Sequence, residues 1–165
     1  MENYNLKIEL IDFLQDIKAT IYENKKNLIF KLQNATSINF ELFEFFISDG
    51  DITLNLDANN EYKLKDVSGC IATEKIKNKI LILPNYSKSN IYFNYNKIMI
   101  GGAYLEDFHD FSSNIYFDKN SGWLQIGEEN KRAKAYGCSN SIIICEYKGN
   151  IATVYIHIGL KNKII

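Results

Sequence analysis

The sequence predicts an α+β fold, with N-terminal helices packed on a mostly antiparallel β-sheet. Two patterns carry that expectation. Up to Ser48, apolar residues recur at three- and four-residue steps; from Ile52 onward, short alternating apolar segments are punctuated by Gly, Asn and Asp. Helices first and strands afterwards argue for segregated layers around one core rather than alternating βαβ units.

The first helix is expected on the stripe Leu6, Leu10, Ile11, Phe13, Leu14, Ile17 and Ile21. Asn3 or Asn5 would cap it, and Lys25 and Lys26 would lie where the helix dipole favours cations. The apolar run from Leu28 to Leu32 is too short to assign. A second helix is expected over 39–48, where Phe40, Leu42, Phe43, Phe45, Phe46 and Ile47 are too dense for one face and imply deep packing. Ser37 or Asn39 would start it, and Gly50 would end it in a positive-φ conformation.

The strands follow. Ile52 to Leu56 alternates before a turn at Asp57 to Asn60, and Tyr62 to Leu64 answers it. Lys79 to Leu83 is β-like and stops at Pro84, the only proline. Ile91 to Phe93 and Lys97 to Ile100 flank a tight connection, and Gly101-Gly102 breaks the second of these. Ile115 to Phe117 and Trp123 to Ile126 read as a hairpin, as do Ile142 to Tyr147 and Ile151 to Ile158 around Lys148-Gly149-Asn150. No repeat or Pro/Ser-rich linker divides the chain, so residues 1–165 are expected to form a single domain.

Composition excludes several classes. The apolar fraction of 46% and charged fraction of 24% are those of a globular chain. A net charge of −1 supplies no global field for nucleic acid or anionic lipid. Charge is unevenly placed, however. Gln33 to Tyr62 contains Glu41, Glu44, Asp49, Asp51, Asp57 and Glu61 with no Lys or Arg, and Ile98 to Asp118 contains Glu106, Asp107, Asp110 and Asp118 unopposed. Between them, Lys63 to Lys97 carries seven lysines against Asp66 and Glu74. If the acidic stretches share a face, that face suits a basic partner. The preference for Lys over Arg, with abundant Ile and Asn, reads as the bias of an AT-rich genome.

Cys70, Cys138 and Cys145 form an odd set with no metal-ligand spacing, which implies reduced thiols. The start Met1-Glu2-Asn3-Tyr4-Asn5 is unlike a signal peptide, and no apolar run approaches the roughly 20 residues of a membrane helix, so a cytoplasmic protein is expected.

Chemistry-bearing residues are sparse. Glu106-Asp107-Phe108-His109-Asp110 places carboxylates beside an imidazole, but His109 and His157 are the only histidines, so a three-histidine zinc site is impossible. A small enzyme centred on His109, with Asp107 or Cys138 assisting, is one alternative, and a Cys-His pair drawn from Cys138 or Cys145 with His109 or His157 is its nucleophilic form. No phosphate loop, GxGxxG, GxSxG or HExxH supports an enzyme. Neither cofactor nor metal is expected. Lys131-Arg132-Ala133-Lys134 is the one tight basic group and reads as a solvated loop. Tyr86, Tyr92, Tyr95 and Tyr104 sit among polar neighbours and are candidates for partly exposed contacts.

At Phe43-Glu44-Phe45-Phe46-Ile47-Ser48-Asp49-Gly50-Asp51 and again at Gly122-Trp123-Leu124-Gln125-Ile126-Gly127-Glu128-Glu129 the chain resembles the SUKH superfamily. It lacks the usual proline before the aromatic segment, and its turn is Ser-Asp-Gly where Asn-Gly-Gly is commoner. The resemblance implies helices against a strongly curved sheet, and an immunity protein that neutralises a toxin, often a nuclease.

The expected function is therefore a non-enzymatic protein-binding module, an immunity-type inhibitor that occludes a basic toxin or nuclease. Asp49, Asp51, Glu106, Asp107 and Asp110 are the expected partner contacts. A phage- or mobile-element-encoded inhibitor of a host defence nuclease would have the same surface physics. An oligomeric interaction protein would use Ile151 to Ile158 as an unpaired edge.

Overall fold

A computed structural model describes residues 5–14, 17–33, 42–48, 50–57, 60–94, 103–104 and 114–159. The chain is nearly all β, not α+β. Its fourteen strands are β1 (Asn5–Leu10), β2 (Lys18–Glu23), β3 (Asn27–Gln33), β4 (Leu42–Ile47), β5 (Ile52–Asp57), β6 (Lys63–Ala72), β7 (Ile76–Asn78), β8 (Tyr86–Asn94), β9 (Ala103–Tyr104), β10 (Ile115–Asp118), β11 (Trp123–Ile126), β12 (Lys134–Ser139), β13 (Ile142–Tyr147) and β14 (Asn150–His157). Among the described residues the only helical element is the short 3-10 turn Thr73–Lys75.

Both expected helices are overturned, each for a specific reason. In β1, Leu6 and Ile8 pack against the core while Lys7 and Glu9 face outward, a period of two. The helical reading skipped Ile8 and joined Leu6 and Leu10 to the apolar residues beyond the strand's end. In β2, Ala19 and Ile21 point inward and Thr20 and Tyr22 outward. The aromatic segment is strand β4, paired along its length with β5 from Leu42↔Asp57 to Ile47↔Ile52. Phenylalanines suit a pleated surface flanked by other strands, and that outweighed their helix-like density. Gly50 does have a positive φ of 84°, but it serves the β4–β5 hairpin, where the Asp51 N–H donates to the Ser48 carbonyl at 2.9 Å.

The strands form one mixed sheet that curls into a half-barrel. Its path runs β7-β10-β11-β14-β13-β12-β8-β6-β5-β4-β9, with β1 on β8 and the β2–β3 hairpin on β6. The β7–β10, β8–β12 and β4–β9 pairs are parallel. Strand β8 is the hub. Tyr86 to Lys88 pairs with β12, Ser89 to Asn94 pairs with β1, and Tyr92 meets Lys63 at the start of β6.

The main core includes Leu28, Phe30, Leu54, Val67, Phe93, Phe117, Leu124, Ile144 and Ile156. Burying side chains of this size stabilises the fold by about 1.5–3 kcal/mol each. Phe30 lies over the bare backbone of its cross-strand partner Gly69, where any side chain would collide with the ring. Strand β14 lies between β11 and β13, so the edge expected to support self-association is already paired on both sides.

Candidate functional site

A second apolar layer covers the outer face of the β11–β14 region. Ile142 and Ile144 point to the main core, whereas Ile143 and Cys145 point the other way and join Ala135 and Tyr155. Leu83, Trp123 and Ala133 pack on that outer cluster. Leu83 belongs to the segment 79–85, a strap with no sheet partner, although Lys79 to Leu83 is expected as a strand. Two contacts fix its start. The Lys79 N–H donates to the Phe117 carbonyl at 3.1 Å, and the Leu81 N–H donates to the Asp118 carboxylate at 3.0 Å. The Leu81 and Asn120 N–H groups hold the Asp118 carboxyl below the usual range for aspartate.

With Leu81 and Leu83 turned inward, alternation turns Ile80 and Ile82 out. They are 76% and 86% exposed. Just beyond the strap, the Tyr86 ring covers Gly137, where an added Cβ would lie 2.5 Å from the ring. The expected tyrosine contact at position 86 is thus partly a packing element.

A cleft of about 440 Å³ lies where β8 passes the start of β6. The β1–β2 connection supplies Ile11, Asp12, Phe13 and Ile17; β6 supplies Lys63 and Lys65; Asn90 and Cys138 close it from β8 and β12. Phe13 is 85% exposed at its mouth. Burial and the neighbouring Lys65 charge lower the pKa of Lys63. Glu9 and Asp57 attract Lys63 through space, but each has another partner. Glu9 accepts from Asn90 at 3.1 Å and from Tyr92 at 2.9 Å, and Asp57 pairs with Lys65 at 3.9 Å. The Cys138 thiol contacts the Ile142 carbonyl, and burial pushes its pKa up to about 12, so it is protonated at neutral pH. Cys145 is pushed up to about 12 for the same reason.

A second cleft of about 430 Å³ adjoins the expected basic group and is lined by Glu128, Asn130, Arg132 and Tyr147 among others. Arg132 hydrogen-bonds the Tyr147 phenol, which lowers its pKa.

The expected contacts divide. Asp49, Glu106, Asp107 and Asp110 lie outside the described residues, as do His109 and Tyr95. Asp51 is described and is engaged, accepting from Lys75 at 2.9 Å. Two other acids of its stretch behave alike: Glu61 pairs with Lys7 at 2.9 Å and Asp57 with Lys65 at 3.9 Å. His157 stacks on Trp123 at 5.0 Å between ring centroids and contacts the Ser121 carbonyl, while Cys138 bonds elsewhere, so these two form no nucleophilic pair. Among the described residues, no group of three or more His, Cys, Asp or Glu is placed to hold a metal. No helix among them is long and apolar enough to cross a membrane. Sequence reading missed both the strap's outward pair and the cleft. The strap was visible as Lys79-Ile80-Leu81-Ile82-Leu83 but not its exposed side, and the cleft joins residues more than a hundred positions apart, such as Ile11 and Cys138.

No family model matches the chain. The chain is similar to an uncharacterized protein of Plasmodium falciparum (isolate 3D7), 31% identical over 91 residues, which is 52% of this chain and 8% of that protein. The chain thus spans a small part of the relative it matches.

Proposed function

We propose that the chain is a non-enzymatic binding protein that acts by covering part of another protein's surface. The observation that carries this reading is the outward pair Ile80 and Ile82, large apolar side chains displayed on a strap whose backbone is fixed by Phe117 and Asp118. A preordered apolar pair loses little conformational entropy on docking and gains by leaving water. An immunity-type inhibitor of a toxin or nuclease is the form of this reading that the SUKH resemblance implies. Its acidic contacts would come from Asp49, Glu106, Asp107 and Asp110, because Asp51 already serves Lys75.

The test is affinity capture from the native host with the parent protein and with Ile80→Ser/Ile82→Ser in parallel. A protein recovered in stoichiometric amount with the parent and lost with the variant is the expected result. Equal recovery by both would reject the strap as the contact surface.

A further inference from the structure

Lys63 stands apart from the other described lysines of its basic stretch. Lys65 pairs with Asp57, Lys75 with Asp51, Lys77 donates to Asn114, Lys79 lies over the Tyr116 ring, and Lys88 reaches the Asp12 carbonyl. Among the described residues, the Lys63 ammonium closes no ion pair and no side-chain hydrogen bond. It is nevertheless half-buried, beside a second cation two residues away on the same face of β6. Holding two ammonium groups together in a partly desolvated cleft is unfavourable unless an anion joins them.

The rest of the cleft is of a different character. Ile11, Phe13 and Ile17 give it an apolar side, and among the described residues Asp12 is its one carboxylate, on an exposed rim residue. A volume of about 440 Å³ is in the range that accommodates a small molecule. The acids nearest Lys63 attract it through space but close no contact with it: Glu9 accepts from Asn90 and Tyr92, and Asp57, its cross-strand partner, is shared with Lys65.

We propose that this cleft binds a small amphipathic carboxylate, its head group between Lys63 and Lys65 and its apolar body against Ile11, Phe13 and Ile17. The head would give Lys63 a direct anionic contact, and the body would cover Phe13, which is otherwise left in water. Charge complementarity selects an acid over its neutral analogue, and the apolar side selects a chain-bearing acid over a bare anion. The inference is independent of the strap, which is built from other residues.

Isothermal titration of the purified chain with octanoate tests it, with octanol and inorganic phosphate as separate arms. Saturable one-to-one binding of octanoate is expected, with octanol and phosphate each markedly weaker. Lys63→Gln should weaken octanoate binding roughly tenfold or more, the scale of one charge-assisted hydrogen bond. Lys63→Arg should keep most of the affinity, and Phe13→Ser should reduce it. The melting temperature of Lys63→Gln should be no lower than the parent's, separating lost binding from lost folding. Octanoate that fails to saturate, or that binds Lys63→Gln as tightly as the parent, would overturn the proposal. Phosphate binding as tightly as octanoate would overturn the apolar half of it. Ile80→Ser/Ile82→Ser should bind octanoate like the parent, so failure of the cleft and failure of the strap are read separately.

Discussion

The two ends of the sheet bury their strands differently. In the region β11 to β14 both faces are covered, one by the main core and the other by the strap, and β13 accordingly reads Ile-Ile-Ile-Cys without alternation. At the β2–β3 end one face meets the core and the other meets water, so Leu28, Phe30 and Leu32 are buried while Ile29 and Lys31 are exposed. Two-sided burial writes continuous apolar runs and one-sided burial writes alternation. The same sheet therefore carries two sequence textures, and the outer layer of Leu83, Trp123 and Ala133 is the cause of the difference.

The largest expected effect follows directly. Ile143→Ala should destabilise the protein by about 2–5 kcal/mol, because it empties a site closed on every side. Ile29→Ala, at a position 38% exposed, should cost about 1 kcal/mol or less. Urea unfolding of the two variants decides the matter, and equal losses would mean that the strap covers nothing.

A smaller effect is expected at the strap's anchor. Asp118→Ala should lower the melting temperature by less than Ile143→Ala does and accelerate hydrogen exchange at the Leu81 amide. Because the folded carboxyl is held below its usual value, its contribution is present above the ordinary aspartate range. It is lost as pH falls through the depressed folded value. Unchanged exchange at Leu81 would show that the strap is held elsewhere.

The smallest effect belongs to the one-sided end. Asp66 is buried, and its oxygen accepts from the Asn55 amide at 2.5 Å. Burial raises its pKa, with the Asn55 hydrogen bond acting in the opposite sense. A carboxyl raised on folding contributes stability fully below its unfolded value and loses that contribution as pH rises through its folded value. Asp66→Asn retains an acceptor, so stability on the acid side should be kept and the decline with rising pH should flatten. A stability profile across mildly acid to neutral pH that matches the parent's would disprove the assignment.

These textures also explain what was legible in the sequence. Ile142 to Tyr147 and the hairpin from Ile115 to Ile126 were readable because two-sided runs bounded by Gly and Asn resemble nothing else. β1 and β2 were not, since Leu6, Leu10 and the apolar residues that follow satisfy a helical spacing, and only Ile8 betrays the period of two. β4 was hidden by its aromatic density, which tertiary packing resolved in favour of a strand. The charge blocks misled for a related reason. The acidic stretch and the lysines after it are separated in sequence, yet antiparallel pairing and the turns set Asp51 against Lys75 and Asp57 against Lys65. For these pairs segregation along the chain became neutralisation in space, a relation that no linear pattern marks.

The double membership of β8 has a mechanical consequence. Its first residues clamp β12 and its last ones clamp β1, with Lys63 of β6 bridged at Tyr92. Loss of β8 from the sheet would therefore unpair both flanks at once. Fluorescence from Trp123, the lone indole, thereby reports on the melting of a flank it never touches.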